Sequence, residues 1–420
     1  MQPMRQHTRT LAVLLLAFMT LPLTAQQTIK VMHYNLLLFG DCSGTSTTDK
    51  YQWLGTILEH VQPDIFTVNE LIPQTAYING IKALSFDYTN DIEAYPFTNQ
   101  AGSNIVNTLF YNKTKFLPMS AQGEVIPYSL RDLNAYKLLY LPSVANGLTD
   151  SLFLRCIVGH FKAGQGSSNA SSRTAAANAI MNYLASVPDE EAVLVMGDMN
   201  VYSHQENAFQ ALVNGAVPEE RLIDVTGTGT TGWNGSTQAI HHTQSTRSSS
   251  TDCGAGGGMD DRFDIILASQ SLIDPSASIR IDSSSYKALG NNGQSYNTEL
   301  GCSGNGTVPF QVCLALKQMS DHLPVVLDLQ IDGSVSIENS LTAVPFRILQ
   351  HHDADQIEIM VPDQIHWSCH ISNMSGQNIY SAKITGAQTS YSMSALPAGI
   401  YWIRVSTPDG RQSVRKIMTH

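Results

Sequence analysis

The stretch Leu194-Val195-Met196-Gly197-Asp198-Met199-Asn200 constrains the chain more than any other. Its apolar residues read as a buried strand, and the glycine lets the backbone approach whatever lies beyond the strand end. Asp198 and Asn200 are two apart, so on continued strand geometry their side chains leave on one face, an anionic beside a neutral oxygen ligand. That pairing suits a hard divalent cation and a phosphate oxygen. Gly-Asp-x-Asn is also an ordinary turn sequence, so the weight falls on whether other polar residues end strands.

Several do. Thr28 to Asn35 alternates loosely, as a first strand ending on an amide. Trp53, Leu54, Ile57, Leu58 and Val61 then recur at helical spacing, with Asp49 as the cap and Pro63 as the stop. Pro63 to Glu70 reads as a second buried strand that ends on a carboxylate, and Ile105 to Phe116 as a further strand with a polar turn. Leu152 to Val158 leads into Gly159-His160-Phe161-Lys162-Ala163-Gly164. A histidine beside an apolar strand is commonly a core residue, but flanking glycines and Lys162 on its face favour a site. Ser171 or Ser172 caps the next expected helix, whose face carries Ala176, Ile180, Met181 and Leu184 before Pro188. Arg173 in its first turn opposes the helix dipole, which hints at a specific anionic partner, although a solvated arginine is the first expectation. Strands and helices alternating in this way indicate layered α/β architecture.

From Thr226 to Met259 the chain is rich in Gly, Ser and Thr, with Trp233, His241 and His242 among them, and is expected to be a long solvated surface loop. Asp260 to Ala268 follows as a strand in which Asp264 is costly to bury without a donor. A second polar loop is expected from Asp282 to about Thr307. In Met319 to Leu329, Asp321 and His322 adjoin just before a strand that Pro324 can begin. Neighbours on extended backbone point to opposite sides, so these two can do different jobs in one site.

At 420 residues two or three domains are expected. A formal charge of -11 argues against loose binding of nucleic acid through basic surface, though not against a phosphate substrate handled through bound metal. Arg5 and Arg9 precede an apolar run from Leu11 to Leu23, and Leu23-Thr24-Ala25 fits cleavage of a secretory signal after Ala25. That run is short for a membrane span and no later stretch is long enough, so a soluble, exported protein is expected. Its cysteines, at 42, 156, 253, 302, 313 and 369, then lie where disulfides persist; their spacing does not give the pairing and does not match zinc sites.

Taken together, Asn35, Glu70, His160, Asp198, Asn200, Asp264, Asp321 and His322 resemble the signature of the endonuclease/exonuclease/phosphatase superfamily, over roughly Thr28 to Ile331 and in the family's order. Gly197-Asp198-Met199-Asn200, Arg262-Phe263-Asp264 and Ser320-Asp321-His322 are its most specific pieces. The resemblance implies a four-layer α/β sandwich with two mostly antiparallel sheets face to face. It implies that Glu70 holds a divalent metal with Asn35 and Asp321 close by, that Asp198 positions or activates the attacking water, and that Asn200 binds a phosphate oxygen. Asp264 would orient His322. His160 falls where the deoxyribonuclease and sphingomyelinase branches carry a second histidine, a candidate general acid that, like Asn35 and Asn200, would also contact substrate. The implied cofactor is Mg²⁺ or Mn²⁺, with Ca²⁺ as a further candidate. The implied activity is that of a secreted, monomeric phosphodiester hydrolase, a nuclease first of all. The alternatives are an enzyme for phospholipid head groups or sugar phosphates, and a surface adhesin with an inactive phosphoesterase fold. One departure is Asn69, where the family has glutamine before the metal-binding glutamate.

Composition shifts beyond Asp332. The expected division is a signal at 1–25, a catalytic domain at 26–332, a linker at 333–342 and a small all-β sandwich at 343–420. Strand signals run Gln356 to Val361, Trp367 to Asn373, Gln377 to Ile384, Gly399 to Thr407 and Arg411 to Met418. Leu396-Pro397-Ala398-Gly399-Ile400-Tyr401 and the terminal Lys416-Ile417-Met418 resemble the C-terminal sorting domain of type IX secretion cargo. The usual Pro-Asn-Pro is replaced by Arg347 to His351. That resemblance implies the type IX machinery as partner and the exterior of a Gram-negative cell as destination.

Overall fold

The computed structural model describes residues 27–419 except 85–90, 142–151, 189–190, 216–220, 229–232, 251, 332–345, 352–355, 362–366, 374–377, 387, 394–395, 398 and 408–411. The expected signal at 1–25 and the linker at 333–342 lie outside the described residues. The strands before residue 332 are β1 (Gln27–Phe39), β2 (Ile65–Leu71), β3 (Ile92–Ala94), β4 (Val106–Asn112), β5 (Phe116–Pro118), β6 (Glu124–Ile126), β7 (Leu133–Tyr140), β8 (Phe153–His160), β9 (Ala192–Asp198), β10 (Asp264–Ala268), β11 (Ile279–Ala288) and β12 (Val325–Ile331). The helices are α1 (Thr47–Val61), α2 (Thr75–Leu84), α3 (Ser167–Leu184), α4 (Asn207–Val213) and α5 (Phe310–Met319).

One sheet has the order β11-β12-β1-β2-β4-β3 and the other β10-β9-β8-β7-β5, with β6 also on β7. Among these described strands β1/β2 and β8/β9 pair in parallel and the other pairs are antiparallel. Alternate residues of each strand serve different layers. Val31, Leu327 and Leu329 of one sheet meet Leu154, Val158 and Met196 of the other in a shared inner core. Met32, Tyr34 and Phe66 turn outward beneath α1, α2 and α5. Ile157, Val193 and Val195 turn outward beneath α3 and α4. Because both faces of each sheet are covered, the central strands read as unbroken apolar runs. This is the expected four-layer α/β sandwich.

Local details correct several expectations. The cap of α1 is Ser46, whose side chain accepts from Asp49 N–H and donates back to the Asp49 carboxylate at 2.7 Å; Asp49 lies in the first turn. Helix α3 begins at Ser167 behind Gly166, whose φ of 103° suits glycine, so neither Ser171 nor Ser172 is its cap. Arg173 is not solvated: it is buried and pairs with Glu206, Nη2 to Oε2 at 3.1 Å, while Nη1 donates to the Lys162 and Gly164 carbonyls. Its anionic partner belongs to the chain. The described part of the 226–259 segment is largely packed rather than solvated. Trp233 and His242 are fully buried, and the His242 ring nitrogens lie 2.6 and 3.2 Å from the carbonyls of Trp233 and Met259. Polar groups paired with backbone in this way can be buried at little cost. The expected loop at Asp282 is strand β11 as far as Ala288.

The pairing that spacing left open is Cys42–Cys253 and Cys302–Cys313, with Cys156 and Cys369 free and buried. In the C-terminal region, β13 (Arg347–His351), β14 (Gln356–Met360) and β17 (Gln388–Ser392) form one sheet, and β15 (Trp367–Asn373), β16 (Asn378–Ile384), β18 (Gly399–Ser406) and β19 (Gln412–Thr419) another. Ile357, Ile359, Trp367, Ile371 and Ile403 share their core. Strands β13 and β17 carry no signal strong enough to be expected from sequence. No helix among the described residues is long and apolar enough to cross a membrane.

Candidate active site

Six strand ends meet at one rim. The parallel strands β1 and β2 run toward it and deliver Asn35 and Glu70, while β8 and β9 deliver His160 and Asp198. The antiparallel β10 starts there with Asp264, and the approach to β12 brings Asp321 and His322. Register fixes the meeting: Asn35 is level with Asn69, His160 with Asp198, and Asp264 with Asp198.

The Asn35 amide stands between two acids. Its Nδ2 donates to Glu70 Oε1 at 3.1 Å and to Asp198 Oδ2 at 3.0 Å, while its Oδ1 accepts from Leu37 N–H at 2.9 Å. The Leu37 contact fixes which end of the amide faces the carboxylates. Beyond Asn35 the strand bulges, and Leu38 N–H donates to Glu70 Oε2 at 3.0 Å. Leu37, Leu38, Glu70 and Asn200 all have left-handed backbone, at φ of 48, 46, 58 and 48°. Such conformations cost about 1–3 kcal/mol each and persist where the surroundings over-determine them.

His160 Nε2 lies 3.4 Å from Asp198 Oδ2 and 3.7 Å from Glu70 Oε1. Each of Glu70, His160 and Asp198 offers a ligand atom within 4.8 Å of the other two, a spacing that fits one cation. Asp321 is outside that trio. Its Oδ2 accepts from Gln244 Nε2 at 3.0 Å and Ala255 N–H at 2.7 Å, and its Oδ1 is buried without a hydrogen-bond partner. Asn200 donates its backbone N–H to Asp198 Oδ1 at 3.1 Å and its amide to Phe161 O at 3.4 Å.

His322 Nδ1 sits 2.6 Å from Asp264 Oδ2, and its Nε2 lies 3.8 Å from Asp198 Oδ2 and 2.7 Å from Gln244 Nε2. The Asp321 carboxylate requires an N–H from Gln244, so in the neutral ring Nε2 presents its lone pair to that amide and Nδ1 carries the proton. Burial opposes charge on His322, but Asp264, Asp198 and Asp321 outweigh it and hold the ring well above its ordinary pKa. The same carboxylates make Nε2 basic, so the charged ring donates a proton from it and the neutral ring accepts one there. Burial, with Asp264 and Glu70 against a lowering by His322, raises Asp198 to about 7. Burial, reinforced by Arg131 and His322, pushes His160 well below its ordinary value, so this ring is neutral.

Other contributors carry weaker sequence signals. His33, two residues before Asn35, bonds Thr67 Oγ1 at 2.9 Å, and its Nε2 lies 3.9 Å from Asp264 Oδ1. Burial lowers it to about 4 against the pull of Asp264. The period of two along β1 links it to Asn35. Asn69 accepts from Asp198 N–H at 2.8 Å and donates to Asn107 Oδ1 at 2.8 Å, so the departure from glutamine still anchors the neighbouring strand. Lys50, buried on α1, donates to the carbonyls of Leu36, Leu37 and Met319 at 2.8, 2.7 and 2.9 Å. Nothing in the spacing of Lys50 or Gln244 points to the site.

The solved structures similar to this chain include endonuclease/exonuclease/phosphatase proteins. One, from Bacteroides vulgatus, is 13% identical with a TM-score of 0.46, covering 73% of this chain and 100% of its own. Another, from Beutenbergia cavernae DSM 12333, is 12% identical with a TM-score of 0.42, covering 93% and 100%. TDP2 from D. rerio, solved complexed with single strand DNA product, is 17% identical with a TM-score of 0.45, covering 72% and 98%. Comparison with curated protein sequences gives no match. Residues 353–420 match the family described as the secretion system C-terminal sorting domain. With that domain the chain carries the address of the type IX route, whose cargo goes to the cell surface or the extracellular space.

Proposed function

We propose that the chain is an exported, divalent-metal-dependent phosphodiester hydrolase. The observation that carries this reading is the trio Glu70, His160 and Asp198 within 4.8 Å, beside the Asp264–His322 pair. The carboxylate oxygens of Glu70 and Asp198 suit Mg²⁺ or Mn²⁺, the His160 imidazole suits Mn²⁺ better than Mg²⁺, and Asp321 Oδ1 at the same rim has no hydrogen-bond partner. When bound, the cation supplies Lewis acidity at the phosphoryl oxygens. Asn35 holds Glu70 and Asp198 together without offering an oxygen of its own. Asp198 orients the attacking water, and the Asn200 amide, on a left-handed backbone at the same strand end, meets a phosphoryl oxygen. His322, steadied by Asp264, accepts and returns the proton. His160 is neutral, and its Nε2 lies beside the two acids, so it serves the cation or a phosphoryl oxygen rather than acting as the general acid.

Among substrates we place extracellular nucleic acid first, because the sorting domain takes the chain outside, where such phosphodiesters are met. The charge of -11 favours a second reading, a phospholipid head group or another small phosphodiester, over a long polyanion. Purified protein assayed on plasmid DNA, RNA, sphingomyelin and bis(p-nitrophenyl) phosphate separates these. We expect hydrolysis that EDTA abolishes and Mg²⁺ or Mn²⁺ restores. Cleavage of none of the four in either metal would overturn the proposal.

A further inference from the structure

Asp321 is held from a segment far away in sequence. Besides Gln244 Nε2 and Ala255 N–H on its carboxylate, its backbone carbonyl accepts from Thr246 N–H at 2.9 Å. The same segment leans on the other acid. A Cβ at Gly254 would come within 2.9 Å of Leu37 Cδ2, and Leu37 precedes the residue whose N–H bonds Glu70. Gln244, Thr246 and Ala255 thus bear on the site from the Asp321 side and Gly254, through the bulge in β1, from the Glu70 side.

The start of the segment is anchored, with Thr246 Oγ1 donating to Ser320 O and Arg247 to the carbonyls of Lys317 and Gln318, whereas the glycine-rich arm at 252–258 has weaker ties. Gly254-Ala255-Gly256-Gly257-Gly258 has more backbone freedom to lose than almost any other sequence, and Ala255, Gly256 and Gly257 are exposed. Asp252 ties it locally, through Arg247 and through Thr45 Oγ1 at 3.1 Å. The covalent tie is Cys42–Cys253, which joins the segment to the turn after β1 across 211 residues. Cys253 is partly exposed, within reach of a reductant.

We propose that the Cys42–Cys253 disulfide is a redox clasp on the active site: closed, it seats residues 252–258 against Asp321 and Leu37; opened, it lets that arm lift, so that Asp321 loses the Ala255 N–H and the bulge beside Glu70 loses its support. This rests on the hydrolase reading above. In the opening step a dithiol gives two electrons and two protons to the S–S bond, leaving two cysteine thiols and becoming a disulfide itself. Thiols stay reduced in the cytosol and oxidise outside it, so a chain bearing an export address is idle before delivery and competent after it. Cys302–Cys313, which closes only 11 residues, is the internal control.

The test uses the full chain, the pair Cys42→Ala with Cys253→Ala, and the pair Cys302→Ala with Cys313→Ala, each with and without dithiothreitol. Hydrogen exchange over 252–258, Mn²⁺ affinity and hydrolysis of bis(p-nitrophenyl) phosphate are read beside thermal unfolding. We expect dithiothreitol, or loss of Cys42 and Cys253, to remove exchange protection and to weaken Mn²⁺ binding and hydrolysis by at least about tenfold, the usual effect of losing a partner that orients a ligand. The unfolding transition stays cooperative, and the Cys302/Cys313 variant keeps both activity and its response to dithiothreitol. Unchanged protection and Mn²⁺ affinity after reduction would overturn the clasp, as would lost protection in the oxidised Cys302/Cys313 variant. If the Cys42/Cys253 variant does not fold, the reduced natural chain reads the same quantities. If the oxidised chain hydrolyses nothing, the hydrolase reading fails, and hydrogen exchange still decides the clasp.

Discussion

Asp198 and Asp264 are register partners across β9 and β10, and one imidazole lies between them: His322 is 2.6 Å from Asp264 through Nδ1 and 3.8 Å from Asp198 through Nε2. Both carboxylates are buried, yet they differ in chemistry. Asp264 has the ring's N–H, whereas Asp198 has the Asn35 amide and is raised to about 7 by burial, with Asp264 and Glu70 adding to it. One orients; the other is free to exchange a proton or meet a cation.

Replacing His322 by alanine is expected to lower turnover at least about a hundredfold, the usual worth of a positioned acid/base group. It also leaves Asp264 buried without its imidazole, at a cost of about 3–5 kcal/mol. Asp264→Asn keeps the shape and loses less stability, but also slows turnover. Steady-state kinetics with urea unfolding checks both, and near-normal turnover in His322→Ala would remove the mechanism.

Stability should depend on pH and metal together. Asp198 ionises near 7 in the fold against about 4 in an unfolded chain, so between those values the metal-free fold keeps a proton that the unfolded chain has released. Its contribution is therefore complete below about pH 4 and is lost as pH rises through about 7. A divalent cation selects the ionised form. Mn²⁺ should raise the melting temperature little at pH 5 and clearly at pH 8, and an equal rise at both would count against Asp198 as a ligand.

Lys50→Met should destabilise the protein by several kcal/mol, on the order of 3, because three buried carbonyls lose a charged donor at once. Two of those carbonyls belong to the bulge that sets Leu38 against Glu70, and the third precedes Ser320-Asp321-His322. Metal affinity should fall with stability; a variant with weakened folding but unchanged Mn²⁺ binding would confine Lys50 to the core.

Removal of residues 343–420 should leave hydrolysis intact and block delivery to the cell exterior. Fractionation of cells with an assay on the truncated protein tests this. A truncated protein that folds but cleaves nothing would make the C-terminal region part of the catalytic unit.

Legibility in the sequence followed the strength of local pattern. Strand ends were readable because an apolar run stops abruptly on a polar residue, as at Glu70 and Asp198. The four layers were readable from alternation. What hid was whatever depends on distant partners. Arg173 looked like a solvated cation because Glu206 is 33 residues away, and the 226–259 segment looked like a solvated loop because its polar groups are paired with backbone that spacing cannot show. Gln244 and Ala255 reach Asp321 from 77 and 66 residues away, beyond any periodicity.

The inner core has a consequence for how such a protein is tuned. Asn35, Glu70 and His322 come from one sheet and its approaches, and His160, Asp198 and Asp264 from the other, so the spacing of the two sheets sets every separation across the rim. Trimming a methyl group at Val158 or Leu327 shifts that spacing without touching an acid or an imidazole. Selection for a faster or slower reaction thus acts on hydrocarbon as much as on polar groups, and variants gathered for heat tolerance will carry altered turnover with their polar rim unchanged.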